Sequence, residues 1–227
     1  MGILYIVATP IGNLEDITLR AIRILKEVDF IISEDTRQTK KLLGHYKIGV
    51  PTISYHQHSR EKKVDFILEL LKNDKNLALV TDAGTPCISD PGGKLVDEVN
   101  RVNKEIEGKI KVVPIPGPSA VVAAASVSGM PLNNFLFLGF PPHKKGRSKF
   151  FKKIKESYGT VIFYESRWRI LRTLEQLSKS VENRKIVVCR ELTKKFESIY
   201  RGNIREVIDK LKADKIKGEF VVIINSR

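Results

Sequence analysis

The sequence predicts an α/β protein of two α/β domains, a parallel one over residues 1–116 and a mixed-sheet one over residues 117–227. Three observations predict it. Short apolar runs alternate with amphipathic helical stretches along the whole chain, the pattern of a mostly parallel sheet covered by helices. Polar clusters rich in turn residues follow the early apolar runs, at Thr9–Asn13, Ser33–Arg37 and Tyr55–Ser59. A stiff segment, Pro114-Ile115-Pro116-Gly117-Pro118-Ser119, punctuates the middle of the chain as a domain link.

In order, residues 3–8 form the first strand and 9–13 a turn. A helix follows over about 18–28, with Ala21, Ile24, Leu25 and Val28 on one face at helical spacing. Phe30-Ile31-Ile32 is the second strand, followed by a short helix over 38–43 that Gly44 stops. Thr52-Ile53-Ser54 is the third strand. A helix over 61–72 turns Val64, Ile67, Leu68 and Leu71 inward, with Ser59 as its N-cap. Leu77–Val80 is an apolar run suited to a strand buried on both faces. It opens into Asp82-Ala83-Gly84-Thr85-Pro86-Cys87-Ile88-Ser89-Asp90-Pro91-Gly92-Gly93, and a helix over 93–102 leads to a strand at 111–113.

Past the link, the small residues of 120–128 suit a closely packed helix and 135–138 is a strand. A basic helical stretch over 143–155 has Phe150, Phe151 and Ile154 on one side. A strand covers 160–164. The helix over 167–177 turns Ile170, Leu171, Leu174 and Leu177 inward and Arg167, Arg169 and Arg172 outward. Strands at 186–189 and 197–200 precede a helix opened by a capping box, Asn203 with Glu206, and 218–224 is the final strand.

The loop over 82–93 is longer than most strand–helix connections. Either it is a tight connection with no ligand, or it is a ligand loop at the carboxyl end of a strand, where open α/β sheets bind. Gly84 lets backbone approach a ligand, and Pro86 and Pro91 restrict the loop before binding. Asp82 either faces the ligand or organises its own loop through side-chain-to-backbone bonds.

Composition sets the remaining bounds. Of 227 residues, 42% are hydrophobic and 29% charged, as in ordinary globular proteins, and Lys and Arg outnumber Asp and Glu by 40 to 26, giving +14. That excess points to a polyanion: nucleic acid, an anionic membrane or a polycarboxylate substrate. No apolar run reaches the roughly 18 residues of a membrane span. Met1–Val7 lacks a basic leader and reads as a strand, and two separated cysteines, Cys87 and Cys189, fit a reduced, cytoplasmic protein. Cys87 has no base beside it that would make it a nucleophile. There is no GxGxxG after the first strand, and Gly93-Lys94 has Ile88 where a phosphate loop needs its first glycine. His56 and His58 would share a face of a strand, but nothing at a recognisable spacing completes a metal set, so no metal is expected.

In the order TPIGN (9–13), SEDTR (33–37), YHQHS (55–59), DAGTPCISDPG (82–92), PIPGPSA (114–120) and FLFLGF (135–140), the chain resembles the tetrapyrrole-methylase superfamily. More narrowly it resembles that family's branch of small-subunit ribosomal RNA cytidine 2′-O-methyltransferases. The likeness runs through essentially the whole chain to GEFVVII (218–224) and departs from the pattern at Ser59, where Asn is usual. It implies two α/β domains with S-adenosylmethionine in a cleft between them, and a homodimer. It places cofactor contacts at Pro10, Thr85, Ile88, Ser119 and Ala120, and near Leu138, Tyr164 and Cys189, several of them through backbone.

The implied reaction is methylation of a cytidine 2′-oxygen in small-subunit (16S) ribosomal RNA. A ribose hydroxyl needs a base or a stabilising cation. Glu34, Asp35 and His56 are the base candidates, and Arg37 the candidate for phosphate or alkoxide contact; an internal Glu34–Arg37 ion pair is the structural alternative. Lys144, Lys145, Arg147, Lys149, Arg167, Arg169 and Arg172 are the candidate RNA contacts. Two rival functions stand beside this one: methylation of a porphyrin-type precursor at carbon, and RNA binding during ribosome assembly without catalysis.

Overall fold

The computed structural model describes residues 1–56, 61–181 and 184–225. The chain divides into two compact units, Met1–Ser119 and Ala120–Arg227. Residues 117–119, expected with the second domain, belong with the first: the Thr85 hydroxyl donates to the Pro118 carbonyl at 3.0 Å.

Among the described residues the first unit holds β1 (Gly2–Val7), α1 (Leu19–Glu27), β2 (Phe30–Ser33), α2 (Thr36–His45), β3 (Thr52–Ser54), α3 (Glu61–Lys72), β4 (Asn76–Leu79), α4 (Gly92–Glu105) and β5 (Ile110–Ile115). The sheet runs β3-β2-β4-β1-β5 with every pair parallel. Its alternation is visible in the core. Val7, Ile31, Ala78 and Ile115 pack against α1 and α2. Leu4, Ile32, Leu77, Leu79 and Ile110 pack against α3 and α4. Both faces are therefore covered, which is why these strands read as continuous apolar runs. Pro114 pairs with Ile6 within β5; β5 is an edge strand, where a missing N–H is tolerated.

The second unit holds α5 (Ala120–Ser126), β6 (Phe135–Phe137), α6 (Arg147–Glu156), β7 (Thr160–Ser166), α7 (Ile170–Ser178), β8 (Lys185–Arg190), β9 (Ser198–Asn203), α8 (Ile204–Ala213) and β10 (Glu219–Ile224). Its sheet runs β6-β7-β10-β8-β9, parallel only between β6 and β7. One face packs Val161, Phe163, Ile186, Val188 and Phe220 against α6, α7 and α8. Among the described residues no helix is long and apolar enough to cross a membrane.

Two boundaries differ from expectation for identifiable reasons. The helix expected over 38–43 is α2, which begins at Thr36 because Asp35 caps it, accepting from the Arg37 N–H at 2.9 Å. It passes through Gly44 and stops at Tyr46, where Lys47 takes a left-handed φ of 53°. The helix expected from 167 begins at Ile170, because β7 extends to Ser166 and 167–169 form a turn. Ser59, Gln57 and His58 lie outside the described residues.

The capping box is present: Asn203 accepts from the Glu206 N–H at 3.0 Å, and Glu206 accepts from the Asn203 N–H at 3.1 Å. Asn203→Ala is expected to lower the unfolding free energy of the second unit by about 1 kcal/mol. Urea unfolding followed by the fluorescence of Trp168, the chain's single tryptophan, reads this, and an unchanged midpoint would remove the cap from the account.

Candidate active site

In the first sheet, β1 and β4 are neighbours whose connections leave in opposite directions. The chain leaving β1 crosses toward β2; the chain leaving β4 crosses toward β5 on the other side. Such a reversal opens a crevice at the carboxyl ends of the two strands, where α/β sheets bind ligands. Thr9 and Gly84 join the two exits. Thr9 N–H donates to the Gly84 carbonyl at 2.9 Å, and Gly84 N–H donates to the Thr9 carbonyl at 3.0 Å. Gly84 is buried at φ +84°, and a Cβ there would meet Ile11 Cγ2 at 3.3 Å, so the bridge needs glycine.

Beyond Gly84 the loop is strained and fastened. Cys87 and Ser89 sit at φ 71° and 68°, a conformation that disfavours side chains. Asp90 holds it: its Oδ1 accepts from the N–H of Cys87 at 3.0 Å and of Gly92 at 2.8 Å. Asp90 Oδ2 is buried without a hydrogen-bond partner. Burial and the Asp90 charge push the Cys87 thiol up to about 11, which keeps it protonated and not a nucleophile.

The exits of β2 and β3 come to the same edge. Glu34, next after β2, is half-buried, and its carboxyl is raised above the usual range by desolvation and by the charges of Asp82 and Asp90, with His56 opposing. Asp82 accepts from the Asp35 N–H at 3.2 Å, so it organises the neighbouring strand exit as well as facing this cluster. Glu34, His56, Asp82 and Asp90 are thus brought together, and Asp35 is not one of them in function. Arg37 grips Asp35 through Nε at 3.1 Å and Nη2 at 2.9 Å. Those bonds lower the Asp35 carboxyl to about 2, too weak a base for a hydroxyl proton. The ion pair of this loop is therefore Asp35–Arg37, and the Arg37 side chain remains 88% exposed.

This edge fits a cationic ligand. Carboxylates favour a sulfonium and an ammonium, Asp90 Oδ2 is an uncommitted buried acceptor, and Gly84 opens the backbone to close approach. Pro10 is half-buried beside the bridge and Ile88 is exposed at the loop tip. The Thr85 hydroxyl is spent on the Pro118 carbonyl. Ser119 and Ala120 are half-buried. Among the described residues no group of three or more His, Cys, Asp or Glu could hold a metal ion.

In the second unit, Leu138 is half-buried against the core, and Tyr164 is raised to about 12 by burial. Cys189 is fully buried, with its thiol pushed up to about 11, and offers a ligand no surface. Two of the basic residues are also not free for RNA. Arg169 pairs with the buried Glu165 at 2.8 Å and donates to the Pro141 carbonyl at 2.8 Å. Arg147 donates to Gln176 Oε1 at 2.7 Å, Thr173 Oγ1 at 2.7 Å and the Pro142 carbonyl at 3.1 Å. Thr173 in turn donates to Glu165 at 2.6 Å. Helical spacing marks Arg169 as outward, but the buried Glu165 carboxylate draws it in directly and Arg147 through Thr173. Lys144, Lys145, Lys149, Arg167 and Arg172 are exposed. Helix-face reasoning also passed over Trp168, exposed on the turn after β7 with the Arg167 guanidinium 4.3 Å above its ring; an aromatic in a cationic cluster is the signal that marks it.

A parallel sheet with a constrained, carboxylate-lined exit at its reversal point, followed by a mixed second sheet, is an architecture shared with solved methyltransferase structures. The model of the family "Tetrapyrrole (Corrin/Porphyrin) Methylases" matches residues 3–208. Among curated relatives, the ribosomal RNA small subunit methyltransferase I of Bacillus subtilis (strain 168) is 48% identical over 99% of this chain and 75% of its own. That of Thermotoga maritima is 43% identical over 100% of both chains. Among solved structures, a diphthine synthase superposes with TM-score 0.74 at 12% identity, covering 99% of this chain and 90% of its own. The uroporphyrin-III C-methyltransferase of Thermus thermophilus, complexed with S-adenosyl homocysteine, superposes with TM-score 0.67 at 16% identity, covering 98% and 96%. The chain belongs to the tetrapyrrole methylase family. It is a methyltransferase, with S-adenosylmethionine as its methyl donor.

Glu165→Ala strands the Arg169 and Arg147 charges in a half-buried site, and the second unit is expected to lose roughly 3 kcal/mol. Urea unfolding by Trp168 fluorescence measures it, and a loss within error of zero would contradict the network's structural role.

Proposed function

We propose that this chain transfers a methyl group from S-adenosylmethionine to the ribose 2′-oxygen of a cytidine in small-subunit (16S) ribosomal RNA. The observation that carries the reading is near-full-length identity of 43–48% to enzymes named for the small-subunit RNA. The fold alone would not choose a substrate, since proteins named for a porphyrin and for diphthine share it at 12–16% identity. The exposed cations of the second unit and the overall +14 charge agree with an RNA partner. A cytoplasmic homodimer is part of the same proposal, and sedimentation tests the dimer.

The donor supplies a methyl activated for in-line displacement. Backbone of Gly84, Thr85 and Ile88, with Pro10, Ser119 and Ala120, would hold its nucleoside body. Asp82 and Asp90 would favour its positive charge. Glu34 takes the proton of the attacking hydroxyl: its raised affinity for protons makes it a better base than an ordinary carboxylate. His56 lies close enough to shift Glu34 electrostatically and tunes that affinity. Arg37, anchored on Asp35, presents an exposed guanidinium to RNA phosphate. Exposed Lys144, Lys145, Lys149, Arg167 and Arg172 add phosphate contacts that position the RNA without reading its sequence.

The test is transfer of labelled methyl to small subunits lacking the modification, with nuclease digestion to locate the label. Label on a cytidine 2′-oxygen is expected. Label instead on a porphyrin precursor supplied in parallel would keep the family and overturn the substrate.

The two carboxyls of the SEDTR loop should respond oppositely to substitution. The folded state raises the proton affinity of Glu34, so its ionised form opposes folding once pH passes the folded value. Glu34→Gln is expected to slow methyl transfer by about 100-fold or more while the melting temperature at neutral pH holds or rises. Asp35 is lowered to about 2 from an unfolded value of 3.8, so its stabilisation is present above 3.8 and fades as pH falls toward 2. Asp35→Asn is expected to lower the melting temperature at neutral pH and to leave a measurable transfer rate. Rates and melting curves of both variants check this; equal loss of activity in the two would contradict the division of roles.

A further inference from the structure

The second sheet has an edge whose aromatic side chains the proposed chemistry does not use. β6 and β7 are parallel, and β8 runs in the same direction as β7 because each is antiparallel to β10. The loops that leave β6, β7 and β8 therefore emerge on one edge of the sheet. Each carries an exposed aromatic ring with a cation near it in the sequence. Phe140 is 52% exposed in the loop that also bears Lys144, Trp168 is 79% exposed in the turn after β7, and Phe196 is 65% exposed in the loop after β8. Arg167 stands 4.3 Å over the Trp168 ring, and Lys195 Nζ 5.8 Å from the Phe196 ring centre.

Rings this large are ordinarily buried, and three on one edge with interleaved cations are a feature to explain. The loops are also held in place before any ligand arrives. Arg169 ties the Trp168 turn to the Pro141 carbonyl at 2.8 Å. Lys194 bridges Glu191 and Glu219 at 2.9 Å each, and Thr193 N–H donates to Glu197 at 2.6 Å. A rigid ring loses little entropy on binding.

We infer that Phe140, Trp168 and Phe196 form a stacking platform for unpaired nucleobases of RNA, with Lys144, Arg167 and Lys195 engaging the intervening phosphates. This rests on the RNA-methylating reading. The chemistry selects single-stranded over duplex RNA: bases in a duplex hide their faces from side chains, whereas splayed bases stack on aromatic rings and guanidinium planes. Stacking tolerates any base, so the platform would grip the strand without reading its sequence.

Trp168 is its own reporter, because the chain has one tryptophan. Trp168 fluorescence of the full chain is followed during titration with an unstructured oligoribonucleotide of about twelve nucleotides and with a duplex of equal length. Quenching by the single strand well beyond that by the duplex is expected. Trp168→Ala and Phe196→Ala, read by anisotropy of labelled oligonucleotide, should each weaken single-strand binding about tenfold, the size of one lost stack. Trp168→Phe should restore most of it and guards against misfolding. The slope of log affinity against log salt should not change, since no phosphate-binding cation is removed. Wild-type affinity in both alanine variants, or a loss of self-association in place of RNA affinity, overturns the platform. Labelling of ribosomal subunits is assayed in parallel. Subunits left unlabelled while single-strand quenching persists would sink the substrate reading and keep the platform. Normal labelling without quenching would do the reverse.

Discussion

The Thr9–Gly84 bridge is the constraint on which the first unit's site depends. Reversal of the chain's direction between β1 and β4 opens a crevice, and left alone that crevice would separate two loop ends. Paired backbone bonds across it close the two exits into one surface. Only a residue without a side chain can sit at φ +84° with Ile11 and the Pro118 carbonyl so near. From that fixed point the loop continues through two left-handed residues, Cys87 and Ser89, whose strain Asp90 offsets by accepting two backbone N–H groups. Strain of this kind persists where surrounding bonds over-determine it.

Charge is divided within the chain. A protein with an excess of 14 positive charges gathers Glu34, Asp82 and Asp90 at one strand edge, where burial and the two aspartates raise the proton affinity of Glu34 and the cluster favours a cation. Phosphate would be repelled there. The exposed lysines and arginines of the second unit provide the opposite preference, Lys144, Lys145 and Arg167 from loops and turns and Lys149 and Arg172 from helix faces. Glu165 takes two arginines out of that set: one buried carboxylate recruits Arg169 directly and Arg147 through Thr173, and in doing so it fixes the loop after β6 to the turn after β7.

The fold was legible because both sheets obey simple rules. Leu77–Val80 reads as a doubly buried strand, and β4 is one over Asn76–Leu79; the Asn203–Glu206 box announces α8 and caps it. Helix boundaries were less legible. Gly44 looks like a stop, yet Asp35 starts α2 early and a glycine within a helix adds only a modest cost. The strand-exit clusters were visible as motifs, and their convergence follows from parallel order. What the sequence does not encode locally is partnership across the chain. Asp35 and Glu34 are adjacent acids, but one is neutralised by Arg37 and the other crowded by Asp82 and Asp90, residues far along the chain. The same limit hid the inward turn of Arg147 and Arg169 and the burial of Cys189.

The central claim is that the donor seats against the β1 and β4 exits of the first unit. Amide hydrogen exchange of the full chain, with and without saturating S-adenosylmethionine, tests it most directly. The account predicts added protection in residues 9–13 and 82–92, strongest around Gly84–Ile88, where backbone makes the contacts. Binding confirmed by calorimetry with no change in either segment, and protection confined to other parts of the chain, would contradict it.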